Sequence, residues 1–145
     1  MSLGTLKIEV TEAHLKRDTD FFGKMDPFCF MRVREATWKS SVCQGGGKNP
    51  RWTGQVFHVD VKYFGDDLFI DIRDDDVTGT DNVGENTIKL SSLIIGDRGI
   101  NEWFELQYKG KSAGRVHLIC EWHPARPGQQ IGGAPVSYSS YLLFR

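Results

Sequence analysis

The chain has 145 residues, 39% of them hydrophobic and 26% charged, with a formal net charge of −1. A chain of this composition folds as one globular domain that buries about two-thirds of its unfolded surface, and its near-neutral balance gives no general pull toward nucleic acid. Three cysteines, Cys29, Cys43 and Cys120, are odd in number and lack a C-x-x-C spacing, which fits reduced thiols better than a disulfide framework or a zinc site.

Period-two alternation dominates the chain, and it predicts antiparallel strands with one buried face. Leu6, Ile8 and Val10 alternate with Lys7 and Glu9, giving a first strand near 4–11. A second, near 27–34, turns Cys29, Met31 and Val33 inward and leaves Phe28, Phe30 and Arg32 outside. Further strands are predicted near 37–43, 53–59, 67–73, 84–90, 102–107 and 114–122, with a short helical turn around Ser91–Ile95. Glycines punctuate the strand ends. Eight short strands at this spacing predict an all-β fold, an eight-stranded antiparallel β-sandwich with Greek-key links. The domain is expected over 1–123. Residues 124–145, rich in Pro, Gly and Gln, read as a flexible tail that ends in the apolar run Tyr141-Leu142-Leu143-Phe144. No run approaches 18 apolar residues and the opening MSLGTLKIEV lacks signal-peptide order, so a cytoplasmic location with peripheral membrane contact is expected.

Charge is concentrated where strands end. Seven of the 19 acidic residues fall in two stretches: Asp18, Asp20 and Asp26, then Asp74, Asp75, Asp76 and Asp81. The first stretch joins the first and second strands, with Gly23 midway between Asp20 and Asp26. The second joins the fifth and sixth. Asp74 and Asp76 alternate as the strand runs out, and Asp81 returns from beyond Gly79. In a sandwich the loops after strands one, three and five leave from one end, so both acidic stretches are expected to meet there beside Gln44–Arg51. Five converging carboxylates repel one another. Calcium, which takes six to eight oxygen ligands, resolves that repulsion. The run from Asp74 to Glu85 also fits an EF-hand pattern, but strands rather than amphipathic helices flank it and Asp81 occupies the usual apolar position.

The segments GTLKIEVTEAHL, DFFGKMDPF, NPRW, LFIDIRDDD, DNVGE, WFEL and GRVHLICEW follow one another in the order of a C2 domain. Residues 4–123 thus resemble the calcium- and phospholipid-binding C2 family, in its type II topology. The resemblance implies that Asp20, Asp26, Asp74, Asp76 and Asp81 are the calcium ligands, two from loop one and three from loop three. The gap from Asp76 to Asp81 is one residue shorter than the common family spacing.

Phe21 and Phe22 stand at the tip of loop one, and Val77 begins the tip of loop three. All three are candidates for insertion into a lipid interface. Arg32, Arg34 and Lys39 on neighbouring strands form a candidate basic patch for anionic headgroups, with a solvated sheet face as the alternative. Phe30 marks a candidate contact surface. The four histidines make no metal motif and no catalytic signature stands out, so no enzyme is expected. The resemblance implies a monomeric module that binds anionic phospholipid membranes when calcium is bound. The alternative is a protein-interaction or scaffold module whose partner docks on the Phe30 face or the tail.

Overall fold

The computed structural model describes residues 1–20 and 23–126. Alternating burial builds eight strands: β1 (Gly4–Leu15), β2 (Pro27–Val33), β3 (Ala36–Lys39), β4 (Val56–Val61), β5 (Asp67–Asp76), β6 (Gly79–Lys89), β7 (Asn101–Tyr108) and β8 (Lys111–Pro124). A 3₁₀ turn over Leu90–Leu93 follows β6, close to the helical turn expected there. Strand order is β3-β2-β5-β6-β7-β8-β1-β4, with all paired strands antiparallel. A single residue pair, Glu85 with Gln107, joins β6 to β7. At that thin seam the sheet divides into two four-stranded halves. Their inner faces share one core, which includes Met31, Ile70 and Ile72 from one half and Leu6, Ile8 and Leu118 from the other. This is sandwich packing.

All eight expected strands are present, and their ends differ for local reasons. β3 stops at Lys39, where the Ser40 side chain replaces a main-chain partner. Its Oγ accepts the Cys29 N–H at 2.8 Å and donates to the Ser41 carbonyl at 2.8 Å, a side-chain competition with the ladder. β4 begins at Val56 rather than 53, after a turn in which Gly54 adopts φ 65°. β5 and β6 extend into the segment expected to be an open loop. Asp74, Asp75 and Asp76 pair with Asp81, Thr80 and Gly79, so loop three is a tight hairpin whose tip is Val77-Thr78.

The registers place the β1–β2, β3–β4, β5–β6 and β7–β8 connections at one end. Leu15 faces Gly114 near the β7–β8 hairpin, and Pro27 faces Asp74 beside the β5–β6 hairpin. At the other end β8 finishes at Pro124, where the Ala125 N–H bonds the Leu3 carbonyl at 2.9 Å. Residues 127–145 of the expected tail lie outside the described residues.

One outward residue is not exposed. Phe28 lies on the outer face with Phe30, as alternation required, but it is only 5% exposed and does not join the shared core. The Lys39 ammonium lies 5.6 Å from its ring centroid and covers it, burying an outward aromatic under an amphipathic stem.

Cys29 and Cys120 are buried, and burial raises both thiols, Cys120 to about 12. Cys43 is half-buried in the β3–β4 connection. Alkylation by iodoacetamide at pH 8 should therefore modify Cys43 first and spare Cys29 and Cys120 until denaturant is added. Mass spectrometry of the native protein should show one adduct, and early labelling of Cys29 would contradict this packing.

Candidate metal centre at the acidic end

The centre starts from Asp74. Its carboxylate is buried, with 2% exposure, near the end of β5. Oδ1 accepts the Asp26 N–H at 2.8 Å and Oδ2 accepts the Thr19 hydroxyl at 2.8 Å. The Asp75 N–H returns a bond to the Asp26 carbonyl at 3.0 Å. Loop one is thereby held against the root of the β5–β6 hairpin. The β3–β4 connection closes on the same point, with the Gly45 N–H on Asp26 Oδ1 at 2.7 Å and the Gly47 N–H on the Met25 carbonyl at 2.9 Å.

The hairpin carries the other acids. Asp76 closes the turn, its Oδ1 accepting both the N–H and the hydroxyl of Thr78 at 2.8 Å. Arg73 braces the same hairpin from outside. Its Nε donates to Thr80 Oγ1 at 2.7 Å and its Nη1 to Asp71 Oδ2 at 3.0 Å. Ligand atoms of Asp74, Asp76 and Asp81 all lie within 4.8 Å of one another. Among the described residues this is the one such acidic, His or Cys group.

Electrostatics mark the crowding. Bonds from the Thr78 hydroxyl and N–H hold the Asp76 carboxyl below the usual range. A hydrogen bond with Asp76 pushes Asp81 up, with desolvation and the Asp76 and Asp74 charges adding to it. Two carboxylates this close disfavour joint ionisation unless a cation offsets them. The donor set suits a hard divalent cation. Every donor is a carboxylate oxygen, and the 4.8 Å spread is comparable with the diameter of a calcium coordination sphere with ligands at about 2.3–2.6 Å.

The structure thus brings together three of the five expected ligands. Asp26 touches the centre through its main chain, while its carboxylate is engaged by Gly45. The Asp20 N–H bonds Asp18 Oδ1 at 3.0 Å in the first part of loop one, and neither carboxylate belongs to the three-residue group. Val77 is fully exposed at the hairpin tip. Phe21 and Phe22 lie outside the described residues. Arg32 and Lys39 share the outer face of β2 and β3, Arg32 lying 5.0 Å from the Phe69 ring centroid. Arg34 sits apart, in the β2–β3 turn with φ 52°, paired with Asp66 at 2.5 Å. Phe30 is half-buried and packs edge-on to Phe69 at 6.4 Å. Sequence reasoning missed Thr19 and Gly45, whose roles arise only from the meeting of distant loops. Thr78 was missed too, although Asp-x-Thr is a signal for this side-chain turn.

An antiparallel sandwich with one acidic loop end defines the class. Residues 4–106 match the family model for the C2 domain, and the chain belongs to that family. Elicitor-responsive protein 3 of Oryza sativa subsp. japonica is 36% identical over 95 residues, 64% of this chain, and the chain spans 65% of that relative's length. The solved structure of a single C2 domain from plant Extended Synaptotagmin 1 superposes with a TM-score of 0.76 over 86% of this chain and 98% of that one, at 22% identity, a likeness of fold. The calcium-bound pair of C2 domains from Extended-Synaptotagmin 2 gives 0.75 at 28% identity, over 88% of this chain and 48% of that one.

Asp74 and Asp76 should differ sharply in what their removal costs. Asp74→Ala strands the Asp26 N–H and the Thr19 hydroxyl, a loss of about 1–3 kcal/mol. Asp76→Ala loses only solvent-exposed turn bonds from Thr78 and should cost less than that. Urea unfolding of both variants in a calcium chelator checks the order.

Proposed function

We propose that the protein is a calcium-binding module that docks peripherally on anionic phospholipid membranes. The observation that carries this reading is the Asp74, Asp76 and Asp81 group at the root of a hairpin whose tip presents a fully exposed Val77. Membership of the C2 family and the likeness to a calcium-bound relative support it. Calcium is held by Asp74, Asp76 and Asp81, and Asp20 and Asp26 complete the set from loop one. Without calcium the acidic end repels an anionic surface. Bound calcium offsets that charge, and headgroup phosphate oxygens supply further ligands. Val77, with Phe21 and Phe22 of loop one, adds apolar burial in the interface. The chemistry is binding throughout.

A second reading, a protein partner, draws on the surface groove lined by Phe28, Phe30, Thr37, Trp38, Lys39 and Arg73. It predicts no dependence on lipid.

Calcium at a hundredfold excess over its Kd should stabilise the fold by about 2.7 kcal/mol. Asp76→Asn/Asp81→Asn should abolish that shift and leave the calcium-free fold intact. Calcium should sediment the wild type with phosphatidylserine vesicles but hardly with phosphatidylcholine ones, and added salt should weaken the capture, since screening acts over about 8–10 Å. Phe21→Ser/Phe22→Ser should lower vesicle binding several-fold without changing calcium affinity in lipid-free solution. A wild type that binds calcium yet ignores anionic vesicles would replace the lipid reading with the protein-partner one.

A further inference from the structure

Arg17 leaves β1 at the start of loop one, three residues before Asp20, and crosses to the other half of the sheet. Its Nη2 donates to the main-chain carbonyl of Asn82 in β6 at 3.0 Å. Its guanidinium lies over the Tyr108 ring of β7, 3.5 Å from the centroid. One side chain therefore ties loop one, β6 and β7 at the seam where β6 and β7 share a single paired position.

Asn82 is not an arbitrary anchor. The β5–β6 register slips there: Ile72 faces Gly84 and Arg73 faces Asn82, so Val83 is the extra residue of a bulge. A bulge bends its strand and re-aims the side chains beside it. The residue before Asn82 is Asp81, a member of the acidic group. The Asn82 side chain is itself engaged, donating to Asp71 and to Glu85. Arg17 takes the main-chain carbonyl beside the bulge.

The contact also leaves buried polar atoms without a protein partner. Arg17 Nε is buried without a hydrogen-bond partner among the described residues, as is Asn82 Oδ1. Buried polar atoms left unpartnered are uncommon in folded proteins.

We propose that Arg17 is a positioning residue for the calcium centre: seated on Tyr108 and bonded to Asn82, it fixes the β6 bulge and so the aim of Asp81. This rests on the calcium reading above. It also makes a prediction of opposite sign to simple electrostatics. Removing a cation near an acidic centre should tighten calcium binding by Coulomb attraction. Removing a brace should weaken it, and loss of an outer support costs metal affinity about tenfold.

The test is calcium titration calorimetry of the full chain, at a temperature where circular dichroism shows every variant folded. Arg17→Met, which keeps the stem's packing, and Tyr108→Leu, which leaves charge unchanged, should each raise the Kd, the former by about tenfold. The double variant should be no worse than Arg17→Met alone, because both remove one brace. Val59→Ala, in the β4 core and outside the acidic end, serves as the destabilised control and should leave the Kd unchanged. Arg17→Met binding calcium as well as or better than wild type overturns the brace while the calcium reading stands. A Kd raised equally in Val59→Ala assigns the effect to general destabilisation and also overturns it. A wild type silent to calcium removes the calcium reading itself, and Arg17's role with it.

Discussion

The acidic end depends on the two hydrogen bonds accepted by the buried Asp74 carboxylate, from the Asp26 N–H and the Thr19 hydroxyl. A carboxylate with 2% exposure is costly to leave unpaired, so those donors must be in place whenever the strand is. Loop one is thus fixed by the root of the hairpin it faces, and Gly45 then fixes the β3–β4 connection to Asp26. Three segments distant in sequence become one surface through a single buried acid.

That arrangement sets what the tip can do. With Asp74 held by neutral donors, the strand's alternation carries Asp76 to its side of the hairpin and the return strand brings Asp81 alongside. Asp75, between them, points away and stays exposed. The crowding is relieved in part within the hairpin, since the Thr78 bonds favour the ionised Asp76 while Asp81 is biased toward its protonated form. A chain with a net charge of −1 thereby presents a locally strong negative end, and the function proposed for it rests on that local excess.

Much of this was legible in the residues. Leu6, Ile8 and Val10, Leu68, Ile70 and Ile72, and Val116, Leu118 and Cys120 alternate because one face of each strand enters the core, and all nine are buried. The alternation of Asp74 and Asp76 extends the same period into the site, and with Asp81 they form the acidic group. What the residues did not reveal depends on tertiary meeting or on cover. Thr19 is an ordinary loop threonine until Asp74 arrives. Phe28 has outward parity, yet Lys39 lies over it. Arg34 has the same charge as Arg32, yet the turn hands it to Asp66. Ser40 ends β3 by bonds that the strand's own pattern does not announce.

The seam between β6 and β7 explains why the acidic end needs help from outside the hairpin. A strand paired on both sides is held along its length, but β6 has a full ladder only with β5. On its other side the single Glu85–Gln107 pair lies three residues past Asn82, on the far side of the bulge at Val83. The stretch from Gly79 to Asn82, which carries Asp81, therefore lacks main-chain pairing on that side among the described residues. On the β7 side Arg17 supplies what the ladder omits by holding the Asn82 carbonyl, while Arg73 in β5 bonds Thr80 from the paired side. Two arginines thus flank the segment that carries Asp81, adding side-chain bonds to its pairing with Asp74 in β5.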